Sequence, residues 1–383
     1  GGIGVQFSIQ NDTVMVISVV PGGPSEKVGI IPGDRIIAVN DSVIAGKGID
    51  SDEVVGMLRG ELGTKVKVGI LRRDRKGLLD FEITRGSIPV TSVEVGYMIT
   101  DSIGYVKVSR FARNTYQEFL TALARLKAYN CQNLIVDLRG NSGGYLDIAI
   151  SMINEFLPKG SLIVYTEGKA SPRQDVYANG LGSCKDMRLT VLIDEFSASA
   201  SEIFAGAIQD NDRGLIVGRR SFGKGLVQKP FNLPDGSSIR LTVARYYTPS
   251  GRGIQKPYTN GVEDYHRDII ARFQHGEFFE RDSIEFDTSL EFYTVNGRKV
   301  FGGGGVMPDV FVPRDTSGFS DYYFKIRDRA LMYQFALKYS DDNRIQLQRF
   351  ETVEALEHHL DKENVLARLI KYAADNGIKY DEK

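Results

Sequence analysis

The chain has 383 residues, enough for two or three separate hydrophobic cores. Lys and Arg number 48 against 49 Asp and Glu, a formal net charge of −1, which excludes the basic excess of a nucleic-acid binder. Hydrophobic residues at 42% and charged residues at 25% fit a globular protein, and no apolar run approaches the ~20 residues of a membrane span. The chain opens Gly1-Gly2-Ile3-Gly4 with no initiator Met or signal peptide, as a trimmed or mature fragment does, so its compartment is not written in it.

Residues 1–88 read as a small β-rich domain. Strand-like runs occupy 14–20, 34–39 and 65–71, separated by the turn signals Pro21-Gly22-Gly23-Pro24, Pro32-Gly33-Asp34 and Asn40-Asp41. A short helix is expected from Ser51 to Arg59, capped by Ser51, with Val54, Val55 and Leu58 on one side.

Residues 89–257 alternate strands and helices: strand 105–108, helix 115–129, strand 133–138, helix 145–156, strands 162–165 and 189–193, helix 199–209, strand 215–217. That alternation predicts a largely parallel sheet covered by helices. A hairpin is expected around Pro234-Asp235-Gly236-Ser237. Residues 258–383 are more polar and mostly helical in pattern, with Phe350, Val353, Leu356 and Leu360 at helical spacing. They predict the last part of the core followed by a helical extension. Cys131 and Cys184 form neither a disulfide framework nor a metal motif. His266, His275, His358 and His359 have no metal-ligand spacing, so no metal is expected.

Gly2-Ile3-Gly4-Val5, followed by the run Gly23 to Asn40, closely resembles a PDZ domain of the bacterial protease type. Glycines ahead of a strand let backbone N–H groups converge on an anion, here a peptide's terminal carboxylate, and the edge strand then accepts the peptide as an added strand. Val54 and Leu58, one helical turn apart, either line the pocket for an apolar terminal side chain or belong to the core; the sequence does not choose.

Three further segments carry chemistry. In Leu189 to Glu202 a buried strand ends in a turn, and small residues open a helix at Ser199. A hydroxyl there sits on a sharp bend beside unpaired helix N–H groups, although Ser199 and Glu202 also have the spacing of a capping box. In Asn133 to Asp147 a strand runs into Arg139-Gly140-Asn141-Ser142-Gly143-Gly144. No Gly-Lys-Ser/Thr follows, so a phosphate cradle is a poor reading. N–H groups of Gly143 or Gly144 suit an oxyanion hole, jointly with that of Ala200. In Ser221 to Gln228, Lys224 stands between two glycines. A solvated lysine is the ordinary reading, but a lysine dried beside a serine loses its proton more easily and can serve as a base. Gln228 could orient that amine.

Together the segments resemble the C-terminal processing peptidases, or tail-specific proteases: PDZ-containing serine proteases with a crotonase-like α/β core. The family places its lysine 25 residues after its serine, and its glutamine four beyond. Ser199, Lys224 and Gln228 keep both spacings, which selects Ser199 over Ser197 and Ser201. Ser221 stands where a hydroxyl residue often lies, and Glu202 and Asp210 match acidic positions with structural or alignment roles. The segments 246–255 and 302–309 also resemble family signatures. One departure is Ser142, where many members carry Pro; another is a missing N-terminal helical segment. The resemblance covers roughly residues 1–312. It implies a serine endopeptidase with no cofactor, acting on protein or peptide C-termini in the periplasm or another extracytoplasmic space. Homo-oligomerisation and peripheral membrane association are left open. Against it stand a non-catalytic peptide-binding scaffold, an acyl-thioester enzyme on the same core, and a Ser-His-Asp triad that would have to recruit His266 or His275 from a region without a supporting motif.

Overall fold

The computed structural model describes every residue except 11, 74, 89–90, 259–260, 286 and 381–383, and only the backbone at Val262 and His266. Pro89, where the sequence places the start of the second domain, lies outside the described residues. The chain divides into two compact units, Gly1–Val90 together with Thr316–Lys383, and Thr91–Asp315.

In the first unit the strands Val5–Gln10, Thr13–Val19, Arg35–Val39, Lys65–Leu71 and Leu78–Thr84 pair antiparallel in chain order, and Ser42–Val43 pairs beside Arg35–Val39. In Lys65–Leu71 the side chains of Val66, Val68 and Ile70 turn inward while Lys65 and Lys67 face water, the period-2 pattern of a sheet with one wet face. The helix Ser51–Leu58 is capped by Asp50, not by Ser51. Asp50 accepts the Glu53 N–H at 2.9 Å and Glu53 accepts the Asp50 N–H at 3.0 Å, and a carboxylate suits the positive end of the helix. Helices Asp321–Asp328, Leu331–Asp342, Arg344–Leu347, Val353–Lys362 and Val365–Asp375 belong to this same unit, with a small core of Ile326, Leu331, Ala373 and Ile378. Ion pairs tie them to the sheet: Asp341 meets Arg35 at 3.0 Å, and Asp342 meets Arg73.

In the second unit a six-stranded sheet runs Val310–Phe311, Leu215–Gly218, Arg188–Ile193, Asn133–Asp137, Ile103–Val108, Val93–Met98. It is parallel throughout except at the last pair. Leu134, Val136, Leu189, Val191 and Ile193 are all buried and, lying two apart on neighbouring strands in register, line one face of the sheet, while Asn133, Ile135, Thr190 and Leu192 between them are half-buried. The helix Ala200–Asp210 is buried along its whole length. Phe204 meets Phe156 edge-on at 6.1 Å, and Phe156 meets Phe119 at 6.2 Å. Each buried ring contributes about 1.5–3 kcal/mol. The polar end of that helix is neutralised by the buried Arg252, which donates to Asp210 at 2.8 Å and to Gln209 at 2.6 Å. A second sheet, Ser171–Tyr177, Leu162–Gly168, Ser238–Tyr247, Leu226–Asn232, is antiparallel. Its last two strands form the expected hairpin, closed by Asp235, which accepts the Ser237 N–H at 2.9 Å, and by Gly236 at φ +85°.

Candidate functional site

The parallel strands Ile103–Val108, Asn133–Asp137 and Arg188–Ile193 deliver three loops to one edge of the sheet, and hydrogen bonds sew those loops together. Asn141 donates its side-chain N–H to Val108 O at 2.9 Å, and its carbonyl accepts from Ala198 N–H at 3.0 Å and Ser201 Oγ at 2.8 Å. Ser197 Oγ donates to Leu138 O at 2.8 Å, and Asp194 accepts the Gly140 N–H at 2.9 Å. With so many buried polar groups satisfied locally, these loops have little freedom.

Ser199 ends this turn with φ +56° and ψ −113°, immediately before the helix. A side chain held at positive φ stores about 1–3 kcal/mol of strain, which the surrounding hydrogen bonds must overcome. Its N–H donates to Glu202 Oε2 at 2.8 Å. Glu202 is fully buried and takes three more donors: Lys224 N–H on the same Oε2 at 2.8 Å, and Ser221 Oγ at 2.5 Å and Gly223 N–H at 2.6 Å on Oε1. One carboxylate oxygen therefore grips the backbones of both Ser199 and Lys224, and the two nitrogens lie within twice 2.8 Å of each other. Burial pushes the Glu202 carboxyl above its ordinary range, and the four hydrogen bonds oppose that push.

The glycine pair packs directly against the serine. A Cβ at Gly143 would lie 2.7 Å from Ala198 O and 2.8 Å from Ser199 Cβ, and one at Gly144 would lie 2.2 Å from Phe111 O. Both glycines have positive φ, +102° and +148°. The Gly143 N–H is committed to Asn141 Oδ1 at 2.9 Å, whereas the N–H groups of Gly144 and Ala200 meet no acceptor among the described residues.

The segment carrying Lys224 is held from every side. Arg272 donates to Arg220 O at 2.7 Å and to Ser221 O at 3.1 Å, Gly223 O accepts from Lys256 N–H at 2.9 Å, and Gly225 N–H donates to Gln255 Oε1 at 2.9 Å. Lys256 is itself buried, with Nζ 2.8 Å from Asp268 and above the rings of Phe222 and Tyr265 at 4.0 and 4.4 Å. Desolvation pulls its pKa below the ordinary lysine value. The Lys224 side chain, by contrast, is exposed. Among the described residues it makes no hydrogen bond with Ser199, nor does Gln228, which is exposed on the edge strand Leu226–Asn232 opposite Thr242.

In the other unit, Gly2 and Gly86 exchange two backbone hydrogen bonds at 3.0 Å, Ile3 O accepts from Ser25 N–H at 2.9 Å, and Gly4 turns at φ +78°. Val5 then opens Val5–Gln10, which pairs only with Thr13–Val19, so its other edge has no partner among the described residues. The N–H groups of Ile3 and Gly4 likewise meet no acceptor there. Val54 and Leu58, 0% and 4% exposed, sit in the core with Ile3.

Residues 102–265 match the model of peptidase family S41, residues 1–83 that of the PDZ domain, and residues 322–383 that of a family of unknown function. The core belongs to peptidase family S41. The chain is 37% identical over 262 residues to the carboxyl-terminal-processing protease of Synechocystis sp., covering 67% of this chain and 60% of that protein. It is 36% identical over 259 residues to the carboxy-terminal processing protease CtpA of Bacillus subtilis, covering 67% and 54%. The solved photosystem II D1 C-terminal processing protease is similar at 26% identity, with 82% of this chain and 72% of that one covered and a TM-score of 0.43. The chain spans about half to three fifths of the length of these curated relatives.

Two features of this S41 core lie beyond what local spacing signals. The Ser-x-x-Glu spacing pointed to Glu202 as a cap, yet its larger part is to join the serine turn to the lysine segment. Arg272 and Lys256 brace that segment, and no local pattern around them signals it.

Proposed function

We propose that the chain is a serine endopeptidase of the C-terminal processing type, with Ser199 as nucleophile and Lys224 as general base. The observation that carries this reading is the shared grip of Glu202 Oε2 on the backbones of residues 199 and 224. From that anchor the flexible four-carbon stem of lysine reaches the serine by side-chain rotation alone. A peptide laid over the site excludes the water that now surrounds the amine, and a dry amine is more readily uncharged.

The uncharged Lys224 amine takes the Ser199 hydroxyl proton as Oγ attacks the scissile carbonyl carbon. The tetrahedral oxyanion accepts from Gly144 N–H and Ala200 N–H, which meet no acceptor among the described residues. Lys224 passes its proton to the leaving amine nitrogen as the peptide C–N bond breaks, leaving an ester on Ser199. Water, losing a proton to Lys224, then hydrolyses that ester. Gln228 approaches the Lys224 amine once that side chain has turned inward. The PDZ domain takes the substrate's terminal carboxylate on the N–H groups at Ile3 and Gly4 and pairs the peptide with the open edge of Val5–Gln10. In keeping with the family, we place this activity outside the cytoplasm.

Ser199→Ala and Lys224→Ala should each abolish cleavage of an unfolded protein substrate while the melting temperature stays near that of the parent. Mass spectrometry of the products reads the result, and normal turnover by either variant would refute the assignment.

A further inference from the structure

Directly behind the lysine segment lies a cavity of about 620 Å³. Its walls are largely apolar: Tyr247, Tyr258, Leu290 and Phe292, with the stems of Gln255 and Lys256 at its base and Arg245 at its rim. The polar groups at the base are spoken for. Gln255 accepts from Gly225 N–H at 2.9 Å and donates to Lys256 O at 2.8 Å, and Lys256 Nζ is held by Asp268. What remains for an occupant is hydrocarbon and ring surface. Tyr258 and Leu290 are 47% and 37% exposed. Large apolar groups left partly wet in a concave wall mark a place that gains free energy when filled by something apolar.

Two contacts fix where this cavity stands relative to the chemistry. Gly225, next in sequence to Lys224, is bonded to Gln255 in its base, and Leu226 pairs with Arg245 at its rim. An extended peptide advances about 3.3 Å per residue. A side chain entering here therefore belongs to a residue within two or three positions of the bond being cut. Arg245 lies 5.8 Å from the ring centre of Tyr258, so the rim already presents a cation to an aromatic face.

We infer that this cavity is a substrate subsite for one bulky apolar side chain, aromatic by preference, close to the scissile bond. The inference rests on the peptidase reading given above. Gly253 supplies the means to test it, because it lines the cavity and its φ is not in the left-handed region. A Cβ built there points at the Tyr247 ring at an ordinary 3.6 Å.

The experiment is a set of peptides carrying Phe or Ala in turn at each of three positions on either side of one cleavage site, with kcat/KM measured for the full chain. At one position Phe is expected to exceed Ala by about ten- to a hundredfold, the worth of burying one ring. Gly253→Phe, which fills the cavity, should bring the two peptides to within about threefold. Tyr258→Ala, which removes an exposed wall and threatens the fold less, should reduce the ratio partway. The inference is overturned if no position prefers Phe, or if either variant keeps the parent's ratio. A chain that cleaves with loss on Ser199→Ala yet shows no Phe preference sinks the subsite alone; cleavage that survives Ser199→Ala sinks the peptidase assignment instead.

Discussion

Replacing Glu202 by Gln tests the central joint of the site while keeping its shape. The amide has one oxygen and one NH2, and the two possible orientations differ. With the NH2 in place of Oε2, the N–H groups of Ser199 and Lys224 both face a donor, and two unpaired buried donors cost about 2–6 kcal/mol. With the NH2 in place of Oε1, the Ser221 hydroxyl, which already accepts from Val306 N–H at 2.7 Å, turns round to accept a second bond, leaving its own hydrogen and the Gly223 N–H without the carboxylate oxygen they shared. The Gly223 N–H costs about 1–3 kcal/mol. The second orientation wins, because a hydroxyl hydrogen can rotate in search of another acceptor while a backbone N–H is fixed. The two bonds it keeps weaken from charge-assisted to neutral, by about 1 kcal/mol each, while relief from burying a charge returns part of the loss. The net expectation is a local destabilisation of about 2–4 kcal/mol with cleavage reduced but measurable, because residues 199 and 224 stay gripped. Hydrogen exchange of Ala200–Asp210, read by mass spectrometry, measures the loss without assuming that the two units unfold together. The pH dependence has a definite sign. Burial raises the Glu202 carboxyl in the folded state above its 4.5 in the unfolded chain. The folded state therefore takes up that proton first, and the group's contribution is fully present below pH 4.5 and lost as pH rises through the raised value. The gap between parent and variant should widen on acidification. Parent-like protection in the variant, or a gap that narrows in acid, would refute the reasoning.

Gly143→Ala should eliminate cleavage and destabilise the second unit by several kcal/mol, since its Cβ meets Ala198 O at 2.7 Å and Ser199 Cβ at 2.8 Å from a backbone at φ +102°. Thermal melting and a turnover assay check it, and an active, normally melting variant contradicts the packing. Asp341→Asn should loosen the C-terminal helices from the sheet of the first unit by about 1–2 kcal/mol, because the buried carboxylate that meets Arg35 at 3.0 Å and Arg344 at 2.9 Å loses its charge between two partly exposed guanidiniums. Faster hydrogen exchange in both Leu331–Asp342 and Arg35–Val39 is the expected sign, and unchanged exchange in both speaks against the ion-pair tie.

What the sequence determined by itself was everything carried by local periodicity and short spacing. Alternation marked Lys65–Leu71, continuous apolar runs marked Asn133–Asp137 and Arg188–Ile193, and Pro234 to Ser237 marked a hairpin, because each of these depends on a few neighbouring residues. Segments were legible; their meetings were not. The cap moved from Ser51 to Asp50 because two acceptors one residue apart compete, and geometry alone picks between them. Val54 and Leu58 could not be divided between pocket and core until the sheet they cover was in place. Of the two glycines, only Gly143 was given an internal acceptor, and that acceptor, Asn141, is set by a bond to Val108 more than thirty residues earlier. The bracing of residues 220–225 by Lys256 and Arg272 comes from groups brought together across the fold, and one-dimensional spacing carries no trace of such a contact. Local patterns encode which elements form, since their causes are local; which side chains share a site is decided by the packing of distant segments, and only the tertiary structure records it.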